Sequence, residues 1–142
     1  MDKIEELEQY IYDNGIDLLD TKKLNEQSMI VKDFDYEYVT IAINSRKMNS
    51  RAEKLVALSH EVGHYNTSGY YYPFMPVSYK RKVEHGANVD SIKRRIPIKK
   101  LKQILNSAWC NSRWEIAEAF GVTEDFVDMA IEIYKQKGLL TG

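Results

Sequence analysis

His60, Glu61 and His64, in the run Leu58-Ser59-His60-Glu61-Val62-Gly63-His64-Tyr65, are of the types and at the spacing that can do metal chemistry. The run reads H-E-x-x-H. On a helix, side chains four apart lie on one face, so the two imidazoles can meet a single ion. Glu61 sits about 100° round the helix from His60, near that ion but badly placed to bind it. That is the position of a general base acting on a metal-activated water. With three His and one Cys in 142 residues, the chain has little material for any other metal site.

The elements around the run must place it on a helix. Ser50-Arg51-Ala52-Glu53 is a capping box, in which the Ser hydroxyl and the Glu carboxylate satisfy backbone donors at a helix start. The helix is expected to run through Leu55, Val56 and Leu58 to about Tyr65. Gly63 inside it costs about 1 kcal/mol relative to Ala, and close approach by another backbone beside the metal site is a reason to accept that cost. Before it, 28–31 and 36–43 are rich in β-branched and aromatic residues and flank Lys32-Asp33-Phe34-Asp35, which suits a hairpin turn. Upstream, Ile4, Leu7, Tyr10 and Ile11 mark an amphipathic helix over 2–14 that stops at Asn14-Gly15. Residues 21–27 read as a short helix or a polar connection, and 44–49 as a polar connection.

After the motif, Gly69, Pro73 and Pro76 exclude a long helix over 66–79. The aromatics there either line a groove or cover the core, with Tyr70, Tyr71, Tyr72 and Tyr79 as candidate donors to a reaction oxyanion. A second helix is expected over 80–96, ended by Ile96-Pro97, and a short third through Leu101, Ile104 and Leu105. A helix from Trp114 closes at Gly121, and Thr123 caps a last one through Phe126, Val127, Ala130, Ile131 and Tyr134 to Gly138. These two have helix-turn-helix spacing. Glu115, Glu118, Glu124, Asp125 and Asp128 make them acidic, which disfavours direct DNA binding and suits a basic protein partner. Trp109, Cys110 and Trp114 read as core or partner surface.

A catalytic zinc takes three protein ligands. The second helix offers Glu84 or His85, about 100° apart on the helix, so both cannot readily bind one ion. Asn88, one turn after Glu84, can hydrogen-bond and orient a ligating carboxylate.

Composition bounds the rest. With 44% apolar residues the chain is expected to form a single domain, 1–142, with a catalytic core over 1–100 and a helical extension over 101–142. A lone Cys110 excludes an internal disulfide and fits a reducing compartment. The start, Met1-Asp2-Lys3-Ile4-Glu5-Glu6, has no apolar signal core and no run reaches membrane-spanning length, so a cytoplasmic protein without membrane contact is expected. The net charge of −1 hides an asymmetry. Residues 2–37 carry eleven acids against four bases, while 80–102 carry nine bases against Glu84 and Asp90. The basic stretch reads as a solvated helix face, or as a surface for an acidic partner or nucleic acid.

Ala57-Leu58-Ser59-His60-Glu61-Val62-Gly63-His64-Tyr65 resembles the A-H-E-[LI]-G-H-Y segment of the ImmA/IrrE family of metallopeptidases. Glu84-His85-Gly86-Ala87-Asn88, followed by Ile96-Pro97, is similar to that family's E-x-x-A-[ND] helix with its closing hydrophobic-Pro pair. Asp90, Ser91 and Gly86 depart from the pattern, where an aromatic, an Ala and often a Glu are common. The resemblance implies an α+β fold, with a small antiparallel hairpin sheet on a mainly helical zincin-like domain. It implies Zn²⁺ held by His60, His64 and Glu84, Glu61 as the catalytic base, and Asn88 as the polar residue one turn on. It further implies a gluzincin-type endopeptidase of phages or mobile elements that cleaves a helix-turn-helix repressor, or a non-proteolytic anti-repressor that binds one.

Overall fold

The computed structural model describes residues 1–107 and 112–141, so Trp109 and Cys110 lie outside the described residues. Helix α1 (Lys3–Asp13) starts at a capping box formed by Asp2 and Glu5, buries Ile4, Leu7 and Ile11, and gives way at Asn14 to Gly15, whose φ of +69° suits glycine. A short strand β1 (Asp17–Asp20) follows. Residues 21–27 are a connection rather than a helix. Buried Asn44 pins it, with Nδ2 donating to Leu24 O at 2.9 Å and its backbone N–H to Gln27 O at 2.9 Å.

Strands β2 (Ser28–Asp33) and β3 (Tyr38–Ile43) form the expected antiparallel hairpin, with Ser28 opposite Ile43 and Asp33 opposite Tyr38. The turn sits two residues later than the composition predicts. The Asp33 carboxylate accepts the N–H groups of Asp35 and Tyr36, so the chain turns after Asp33, with Glu37 at φ +55°. β1 pairs parallel to β3, so the sheet is mixed, in the order β1-β3-β2. Among the described residues β2 therefore has a free edge.

Helix α2 (Arg51–Thr67) begins at Ser50, whose side chain accepts the Glu53 N–H. Helix α3 (Val77–Arg95) starts directly after Pro76, three residues before the expected position, because proline suits a helix start. A 3-10 turn (Ser45–Lys47) interrupts the polar connection before α2, and α4 (Ile98–Leu105), α5 (Arg113–Phe120) and α6 (Glu124–Gln136) complete the described elements. Gly121 closes α5 at φ +70°, and Thr123 caps α6 by accepting the Phe126 N–H.

One apolar cluster joins all of these. Val39, Ile41 and Ile43 of β3 share it with Leu55, Leu58 and Val62 of α2, and the cluster continues through Ile92, Leu101, Ile116, Val127 and Ile131. Buried Tyr134 donates to Ile96 O at 2.7 Å, tying α6 to the end of α3. α6 thus turns its apolar face inward and exposes Glu124, Asp125, Asp128 and Glu132, while Trp114 on α5 is exposed. Among the described residues no helix is long and apolar enough to cross a membrane.

Candidate metal centre

α2 and α3 touch where α2 has no side chain. A Cβ built on Gly63 would collide with the Ala87 carbonyl oxygen and lie 3.2 Å from Ala87 Cα. This is the close backbone approach expected for that glycine. It brings the His60/His64 face of α2 against Glu84, one turn before Ala87. Gly63→Ala should therefore destabilise the fold by about 1–3 kcal/mol despite its better helix propensity, because the obstacle is backbone. Separation of the helices should also weaken metal binding. Chemical denaturation and a zinc competition titration check this, and an equally stable variant with unchanged affinity would contradict it.

His60 Nε2 lies 2.7 Å from Glu84 Oε1, His64 Nε2 lies 3.1 Å from Glu84 Oε2, and the two Nε2 atoms are 3.1 Å apart. The three side chains can hold a metal ion, their ligand atoms all lying within 4.8 Å of one another. Donors on a tetrahedral ion at 2.0–2.2 Å are roughly 3.4 Å apart, so the cluster needs to open by only tenths of an ångström. His64 Nδ1 is 2.7 Å from Gly69 O. Donation to that carbonyl puts the proton on Nδ1 and leaves Nε2 as a lone pair facing the cluster. Burial would raise the Glu84 pKa, but the Tyr71 hydroxyl and the two imidazoles outweigh it, so Glu84 is held below its ordinary value and stays a carboxylate.

The structure brings Glu84, not His85, to the histidine pair. His85 is exposed. Asn88 lies beyond Glu84 in a shallow pocket with Tyr71 and His85, and the hydroxyl that meets Glu84 Oε2 is that of Tyr71. Burial and the neighbouring carboxylate raise the Tyr71 pKa, so Tyr71 is protonated and donates. Of the four tyrosines with a possible oxyanion role, Tyr71 lines the cleft at the cluster. Tyr70 instead packs edge-on to Phe34, with Lys32 Nζ 5.3 Å from both rings, and Tyr72 sits 6.2 Å from Tyr79.

Glu61, 5% exposed, stands beside the cluster but not in it. Its Oε2 accepts a 2.6 Å hydrogen bond from Ser28 Oγ at the start of β2. Burial raises the Glu61 pKa, and the Ser28 hydrogen bond and the imidazoles oppose that only in part. Ser28 has no signal in the sequence, since it lies 33 positions from its partner. If Glu61 is the general base that its place beside His60 predicts, losing this hydrogen bond to a charged group, worth about 1.5 kcal/mol, should make Ser28→Ala lower kcat about tenfold with KM unchanged. Ser28→Thr should restore the rate. An equal loss in both variants would deny the hydroxyl this part.

The cluster opens into a cleft of about 460 Å³, bordered by Gln27 and by Ser28, Met29 and Ile30 of the edge strand β2. Comparison of the chain with protein-family models, with curated proteins and with solved structures finds no match.

Proposed function

We propose that this protein is a zinc-dependent endopeptidase whose substrate is a helix-turn-helix repressor of a phage or mobile element. The observation that carries the enzymatic reading is the convergence of His60, His64 and the Glu84 carboxylate beside the buried Glu61, at the floor of an open cleft. Two imidazoles and one carboxylate are a donor set of catalytic zinc, which leaves one position open. A bound zinc ion supplies Lewis acidity and makes water a nucleophile near neutral pH.

The chain's own residues do the rest. The unpaired edge of β2 offers backbone donors and acceptors to an extended polypeptide, which aligns its carbonyl groups along the cleft. Ser28 ties down Glu61 Oε2 and leaves Oε1 to accept a proton from the attacking water. As the water oxygen bonds to the carbonyl carbon and the C–N bond breaks, Glu61 returns that proton to the leaving nitrogen. Once released from Glu84 Oε2, to which it donates here, the Tyr71 hydroxyl is the one lining the cleft that is at hand for the oxyanion. The repressor as substrate rests on the ImmA/IrrE resemblance of residues 57–65 and 84–97. The acidic exposed face of α6 favours a basic partner, and it also suits the second reading, an anti-repressor that binds without cutting.

The test is zinc content after loading, followed by incubation with unfolded casein and with a helix-turn-helix repressor. About one zinc per chain and chelator-sensitive cleavage are expected. No zinc uptake, or no cleavage of either protein, would overturn the enzymatic reading. Repressor binding without cleavage would establish the second.

A further inference from the structure

Across the Tyr71–Glu84 pair from the metal cleft lies a shallower pocket of about 340 Å³, also lined by Val77, Lys80, Arg81 and His85. The two depressions share Tyr71 and Glu84 as a common wall. An extended chain advances about 3.3 Å per residue, so a side chain one or two positions from the bond over the cluster reaches across that wall.

The pocket is electrostatically unbalanced. Lys80 and Arg81 are exposed on the first turns of α3. By helix spacing, the acid that would neutralise both is Glu84, four residues after Lys80 and three after Arg81. Its carboxylate is committed elsewhere, Oε1 to His60 and Oε2 to His64 and Tyr71. Where a Lys or Arg does have a carboxylate partner, as Arg94 with Asp90, Arg51 with Asp2, Arg113 with Asp128 and Lys32 with Glu37, the acid lies outside this pocket. Lys80 and Arg81 have none among the described residues. Val77, the first residue of α3, lines the same pocket, so the positive end of the helix dipole adds to their field. Exposed Val77 and half-exposed Tyr71 supply apolar surface for the methylenes of an entering side chain.

We propose that this pocket is a subsite for an acidic side chain, Asp or Glu, of a polypeptide lying across the metal cleft, with Lys80 and Arg81 as its counter-charges. The inference rests on the reading of the cleft as a polypeptide site. It makes the enzyme selective for an acidic residue at a fixed position close to the scissile bond.

The zinc-loaded full chain is incubated with quenched-fluorescence decapeptide pools, each fixing Asp, Glu, Ala, Lys or Arg at one position. The expected result is an acidic preference of about tenfold or more in kcat/KM at one position within two residues of the cleaved bond. Lys80→Glu/Arg81→Glu should reverse that preference toward Lys and Arg, and Lys102→Ala, on exposed α4, should leave it unchanged. No acidic preference at any position, or one that the double reversal does not move, overturns the subsite. If no pool is cut, the endopeptidase reading is decided by the casein and repressor assays, and the subsite by fluorescence polarisation. Fluorescein-labelled Gly/Ala/Leu octapeptides with and without a central Glu are titrated into the Glu61→Gln protein. Tighter, salt-sensitive binding of the Glu peptide that the double reversal abolishes sustains the subsite without the enzyme, and equal binding overturns it.

Discussion

Glu61→Gln is expected to lower kcat by about a thousandfold or more while the protein keeps its zinc. The argument is one of shape against charge. Gln has the outline of Glu, and its amide oxygen can still accept the Ser28 hydroxyl, so β2 and the cleft keep their places. What goes, on the proposed mechanism, is the oxygen that takes a proton from water and hands it to the leaving nitrogen, a contribution of about 10²–10⁴ for a positioned base. The atoms placed to hold a metal belong to His60, His64 and Glu84, and Glu61 is outside that group. Single-turnover cleavage assays and zinc content on the same samples separate the two effects. An undiminished rate would remove the endopeptidase mechanism. A variant that neither cuts nor holds zinc would show that Glu61 is structural.

The second large effect concerns the third ligand. Glu84→Ala should weaken zinc binding by more than the roughly 10–100-fold typical of losing an outer partner of a metal ligand, because both carboxylate oxygens face the imidazoles. His85→Ala should retain about one zinc per chain, since the His85 side chain is exposed beside the cluster. Competition against a chromophoric chelator measures both. Zinc lost from the His85 variant and kept by the Glu84 variant would reverse the assignment. Cleavage should fall with metal occupancy in Glu84→Ala, unlike Glu61→Gln, where occupancy stays and cleavage falls.

Much of this site is written locally. The i, i+4 placing of His60 and His64, the Ser50 cap that starts their helix and the glycine that lets α3 approach are all visible in the chain, because helix period, capping chemistry and the absence of a Cβ are properties of neighbouring residues. The hairpin, the stop at Gly121 and the Thr123 cap are legible for the same reason. Strand β1 is not. Asp17-Leu18-Leu19-Asp20 has no alternation, and only its parallel pairing with β3, more than twenty residues away, makes it a strand. The choice between Glu84 and His85 depends on how α3 is rotated against α2. That rotation is set by the Gly63–Ala87 contact and the apolar core, not by the spacing of two adjacent residues. Ser28 against Glu61, Tyr71 against Glu84, and the two cations left unpaired because Glu84 faces the histidines are likewise long-range results. Local sequence thus shows which residues could do chemistry and which elements carry them. Tertiary packing alone decided which side chains meet, because period and capping fix the face of an element while the neighbour that face meets is chosen by the fold as a whole.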